Sequence, residues 1–139
     1  MIHKHVQKFE EHLYVVFRVL VGLGFMLHGA QKFGLFGDMN PAGFAGAMGL
    51  PVAVGYLVSI VELVGGLGIL AGMFTRLSAL GGLVVMIGAL ALAHLPKGIN
   101  PLLTGGELPM LYVAAFVVLL SKGAGMLSLE KALLKKEVF

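Results

Sequence analysis

LSALGGLVVMIGALALAHL, residues 77–95, runs for nineteen positions without a charged side chain. At about 1.5 Å per residue such a helix is nearly as long as the ~30 Å hydrocarbon core of a bilayer. A helix of a water-soluble bundle needs one polar face. The run Val84-Val85-Met86-Ile87 leaves none. The stretch therefore reads as a membrane span, and the rest of the chain is read outward from it.

Residues 51–74 form a second apolar run with one charge, Glu62. Residues 13–33 form a third, interrupted by Arg18 and His28 and ending beside Lys32. A fourth, 108–121, is short, and gains the needed turns if it extends over 105–126. Composition agrees: 58% of the 139 residues are hydrophobic and 12% charged, where a soluble domain carries roughly 25% charged residues. The 21 glycines suit close helix packing in lipid. The expected fold is all-α: a four-helix integral membrane bundle forming one transmembrane domain over 1–139. Residues 13–33 lack a following A-x-A site and read as a retained helix, not a signal peptide.

Short-loop lysines and arginines set orientation. Lys4, Lys8, Arg76, Lys122, Lys131, Lys135 and Lys136 fall on one side, against Lys32 and Lys97 on the other. Both termini are thus expected to be cytoplasmic. Residues 40–48 read as an interfacial helix started by Pro41. In 128–137, Ser128 is an N-cap candidate, and Leu129, Leu133 and Leu134 oppose Lys131, Lys135 and Lys136. That amphipathic tail either rests on anionic headgroups or is a solvated stop. The small-residue pairs Gly68/Gly72 and Ser78/Gly82 predict close helix contacts. His28, Lys32, Asn40-Pro41 after the first span are echoed by His94, Lys97, Asn100-Pro101 after the third, the trace expected of two duplicated hairpins.

With no cysteine, the chain forms no disulfide, thiol nucleophile, Cys-ligated metal site or Cys-linked covalent haem. It has no phosphate-binding glycine loop, no His-x-x-x-His or Glu-x-x-His ligand pair within a span, and nothing that suggests nucleic-acid reading. No metal site is expected. Ionisable residues inside the membrane are costly and are functional candidates by default. Glu62 sits near the middle of its span and Arg18 about one turn inside the cytoplasmic end of its own. They form either a structural ion pair or a proton-carrying or ligand-contacting site. His28, Lys32, His94, Asn100 and Glu107 all fall near the outer surface. Together they suit hydrogen bonding to a quinone, proton relay or metal binding; singly, they suit snorkelling to headgroups.

These residues have a family resemblance. Arg18, His28-Gly29-x-x-Lys32, Glu62-x-x-Gly65-Gly66 and Gly72-x-x-Thr75-Arg76 resemble the DoxX/DoxD family. His94, Gly105-Gly106-Glu107 and Gly123-x-Gly125-x-x-Ser128-Leu129 extend the likeness along nearly the whole chain. Glu130 stands where the family pattern often has Asp. The resemblance implies a small, multi-pass protein of a prokaryotic plasma (inner) membrane, with a fold similar to quinone-coupled disulfide-forming enzymes. Some relatives are described as the quinone-linked subunit of a thiosulfate-oxidising enzyme, others are grouped with defence against quinones or oxidants. Lacking cysteines, this chain would act through a bound quinone or a partner's active site. The leading expectation is a quinone-binding subunit of a membrane redox system, in contact with lipid and with a redox partner or copies of itself. Its rivals are a non-enzymatic assembly or anchor module and an oligomeric carrier or pore.

Overall fold

The computed structural model describes residues 2–138, and side chains from residue 5 onward. Lys4, counted above for orientation, has its side chain outside the described residues. Among the described residues eight α-helices follow one another: α1 (Ile2–Gln7), α2 (Glu10–Lys32), α3 (Pro41–Ala47), α4 (Val52–Ala71), α5 (Thr75–Ala89), α6 (Pro101–Thr104), α7 (Glu107–Lys122) and α8 (Leu129–Leu134). No strand occurs among the described residues. α5 continues through a π-helical turn at Leu90–His94 and a 3-10 turn at Leu95–Lys97.

Among the described residues three helices are long and apolar enough to cross a membrane: Glu10–Lys32, Val52–Ala71 and Thr75–Lys97. The fourth long helix corrects the expected boundaries of 105–126. α7 has 16 residues, about 24 Å at the usual rise. Gly105 before it and Gly123 after it both have positive φ, which breaks the helix at each end. Similarly, the second run ends at Ala71 rather than at 74. Gly72 turns left-handed there (φ 69°), and the Met73 amide donates to the Gly68 carbonyl at 2.8 Å.

Glycine sets how closely α2 and α4 pack. A Cβ on Gly22 would strike the backbone of Leu70 and Gly66, one on Gly29 the backbone of Leu63, and one on Gly66 the backbone of Met26. Backbone lies on backbone along this seam, the contact that lipid-dissolved helices use in place of a hydrophobic drive. The expected pair Ser78/Gly82 also makes close contacts: Ser78 faces Gly68, and Gly82 receives the ring of Phe116. The core lies between α2, α4, α5 and α7. Its centre is Phe25 against Phe116, with centroids 4.8 Å apart, and beside them Ile69, Ala79 and Leu119.

Both Asn-Pro pairs start helices. Asn40 accepts from the Gly43 amide at 2.8 Å and Asn100 from the Leu102 amide at 3.0 Å, so each caps a helix with proline in its first turn. The tail departs from a plain amphipathic stretch over 128–137. Ser128 caps α8, as its sequence position predicts, but the helix stops at Leu134, with Lys135 left-handed (φ 62°). The tail docks on the turn between α4 and α5. Ser128 Oγ donates to the Gly72 carbonyl at 2.9 Å, and the fully buried Glu130 accepts from the Phe74 amide at 3.2 Å and the Val138 amide at 2.8 Å. Leu129, Leu133 and Leu134 remain exposed.

Candidate functional site

A cavity of about 670 Å³ lies between α2, α3, α4, α5 and α7, within the size range of small-ligand sites. Its wall is mostly aliphatic, with a few polar residues among the lining: His28, Lys32, Glu62, His94, Lys97 and Tyr112. α2 supplies His28 and Lys32 one turn apart, α4 supplies Glu62, and α7 supplies Tyr112. The π-helical turn supplies His94; such turns often mark functional positions in helices.

Lys32 and Glu62 form a buried ion pair. Nζ stands 2.5 Å from Oε2, and the residues are 9% and 3% exposed. The Lys32 ammonium also lies 4.9 Å from the centre of the Phe44 ring, a cation–π contact. The backbone approach at Gly29 lets this happen, because α4 comes near enough for Lys32, one turn further along α2, to reach Glu62. This corrects the expected Arg18–Glu62 pairing. Arg18 is 2% exposed but points to the opposite end of the bundle. Its guanidinium binds the carbonyls of Ala124, Met126 (3.1 Å), Leu127 (3.1 Å) and Leu70 (3.5 Å). The last carbonyls of α4 carry the negative end of its dipole, so a cation is held there without a carboxylate. This clamp also holds 124–127 as a loop beyond the Gly123 turn that ends α7.

His94 is fixed by its neighbours. Nδ1 lies 2.8 Å from the Thr104 carbonyl. That oxygen only accepts, so neutral His94 carries its proton on Nδ1 and leaves Nε2 as acceptor. Gly106 makes room, since a Cβ there would sit 3.2 Å from His94 Cβ. His28 meets the Tyr112 ring edge-on at 6.0 Å, and Tyr112 stacks on Phe116 at 5.6 Å. The Tyr112 hydroxyl lies against Gly24.

The structure brings His28, Lys32, His94 and Glu62 to one cavity. It does not bring Asn100 or Glu107 there. Asn100 is spent on its cap, and the left-handed Gly105 turns exposed Glu107 to a separate shallow surface pocket with Pro101 and Leu111. At the start of α7, Glu107 sits where the helix dipole favours a negative charge. Tyr112, Phe25 and Phe44 escaped sequence reasoning, because aromatic residues in apolar spans carry no distinguishing pattern. No group of three or more His, Asp or Glu able to hold a metal occurs among the described residues.

A helical membrane protein with a largely apolar cavity that holds a buried ion pair is the class defined by these features. Residues 13–95, more than half of the chain, match the DoxX family, and the chain belongs to it. An uncharacterized protein of Haemophilus influenzae is 31% identical over 95% of this chain and 98% of its own length. A Bacillus subtilis protein with the provisional name oxidoreductase CatD is 29% identical over 87% of both chains. An uncharacterized membrane protein of Mycobacterium tuberculosis is 30% identical over 88% of this chain and 82% of its own. No solved structure matches the chain.

Proposed function

We propose that this cavity binds the head of a lipid-soluble quinone, and that the chain is the quinone-linked subunit of a membrane redox system. The carrying observation is the buried Lys32–Glu62 pair set in the wall of an otherwise apolar cavity. A flat apolar ring with two carbonyl acceptors matches that lining. The provisional oxidoreductase name of the Bacillus subtilis relative supports a redox setting.

A bound quinone would supply a two-electron, two-proton acceptor. Lys32 donates a hydrogen bond to one carbonyl, charge-assisted and strengthened by the apolar surroundings. Glu62 balances the ammonium and passes a proton across the same contact. His28 offers a further hydrogen-bonding group on the α2 side, the Tyr112 ring closes the α7 side, and the acceptor Nε2 of His94 suits proton exchange. Electrons come from a partner or a small reductant on the outer side. The proposed setting is the plasma membrane of a prokaryote, with four crossings and both termini cytoplasmic. α7 would then span a locally thinned bilayer.

The test is native mass spectrometry of gently purified protein, with identification of the released small molecules. A stoichiometric quinone that is lost in Glu62→Gln supports the reading. Phospholipid alone, or a protein partner with no small molecule, sinks it in favour of an assembly module.

A further inference from the structure

The cavity lining reaches the surface at two places: at the outer end, where Leu92, Lys97 and Leu108 are exposed, and along the side where α4 and α5 part. Near their connecting turn the two helices touch. A Cβ on Gly68 would lie 2.7 Å from Ser78 Oγ, and one on Gly81 would lie 3.3 Å from Val61 Cγ1. Two turns further along α5 the contact has ended: a Cβ on Gly88 would meet nothing within 4 Å. The cavity wall between these points is Leu57, Val58 and Val61 on one side and Gly81, Val84 and Gly88 on the other. Leu57 and Val84 line the cavity yet are 60% and 65% exposed, so this wall is open outward. Val84 is ten residues into the candidate span Thr75–Lys97, about 14 Å from its start and close to mid-bilayer. At that depth the opening meets acyl chains, not water.

We infer that the ligand enters from the lipid phase through this α4–α5 slot and leaves a long apolar tail lying in it, with its head at Lys32 and Glu62. The inference rests on the quinone reading and narrows it: the substrate class is a quinone with a polyisoprenoid tail, taken from the membrane. Gly88, where a Cβ would meet nothing within 4 Å, leaves width for that tail beyond the contact at Gly81. The aliphatic flanks match a hydrocarbon and offer no partner to a polar solute.

The experiment titrates the full chain in phosphatidylcholine nanodiscs with two benzoquinones of identical head, one tail-less and one with an isoprenoid tail. The ratio of the two affinities, compared between proteins, cancels partition of the tailed quinone into the bilayer. Gly88→Trp fills the slot where there is space for it, and Val84→Trp fills it from an exposed position. Each should shift that ratio about tenfold against the tailed quinone, the scale of a steric clash in a packed site. An unchanged ratio in both variants, with both quinones still bound by the wild type, overturns the slot and leaves the quinone reading standing. If the wild type binds neither quinone, both fall. A quinone with a photoreactive tail end gives a readout that needs no variant. Adducts at 57–61 and 81–88 support the slot; adducts confined to 97–108, at the outer mouth, overturn it.

Discussion

At the scale of the residue, Lys32 and Glu62 illustrate why a buried ion pair is a sensitive object. Each charge is tolerable in an apolar wall because the other stands 2.5 Å away. Removing one partner strands the other, which costs about 3–5 kcal/mol, whereas replacing both by apolar groups is often neutral. Lys32→Met should therefore destabilise the folded protein in detergent by that amount, read as a lowered midpoint of thermal unfolding. The double variant Lys32→Met/Glu62→Leu should recover most of it. A double variant no better than the single would mean that the pair is not a coupled unit. The sequence marked both residues but not their pairing. Depth along a span favoured Arg18 as the partner of Glu62, and it did not foresee that three carbonyls of a loop more than a hundred residues away would claim the guanidinium. Long side chains reach across turns, so depth alone does not choose among cations.

Elements were far easier to read. The absence of charge over 77–95 marks α5 and its extension, because only lipid tolerates a helix with no polar face. Pro41 and Ser128 announced their helices, because helix starts are local chemistry, whereas the short helix that Asn100 caps was not expected. The closeness of α2 and α4 was less legible, since Gly22, Gly29 and Gly66 act through a partner helix that no local pattern names, and the chain has many other glycines. Their roles separate by experiment. Gly66→Ala places a methyl group onto the backbone of Met26, and should cost about 1–3 kcal/mol, the range for overpacking. Gly88→Ala adds the same methyl group to the neighbouring span in open space and should shift stability by no more than about 0.5 kcal/mol. Equal effects on the thermal midpoint would remove the basis for a glycine-set α2–α4 seam.

For the whole molecule, the two ends of the bundle do different things. One end holds the cavity; the other is closed by the C-terminal segment, which folds back over the start of α5 and the end of α7. Glu137 fastens it. Its carboxylate meets the Arg76 guanidinium at 2.8 Å, the Ala124 amide at 2.9 Å and the Lys131 ammonium at 3.0 Å. Burial pushes this carboxyl up, but the Ala124 amide, Lys131 and Arg76 together outweigh burial and hold it below the ordinary glutamate value. The sign of the pH dependence follows. A carboxyl whose folded value is depressed contributes its full stabilisation above the unfolded value, about 4.3, and loses it as pH falls through the folded one. Protonation leaves the two basic side chains facing a neutral group. The tail should therefore loosen below about pH 4 while the bundle, held by apolar packing and the glycine seam, stays folded. Amide hydrogen exchange followed from pH 6 to pH 3 reads this directly: protection at Ala124 and Lys131 should fall in acid, with α2 and α4 unaffected. Glu137→Gln should show the loosened tail already at pH 6 and little further change on acidification. Protection at Ala124 that is indifferent to both pH and substitution would transfer the fastening to Arg18 and Glu130, whose contacts lie deeper on the same surface.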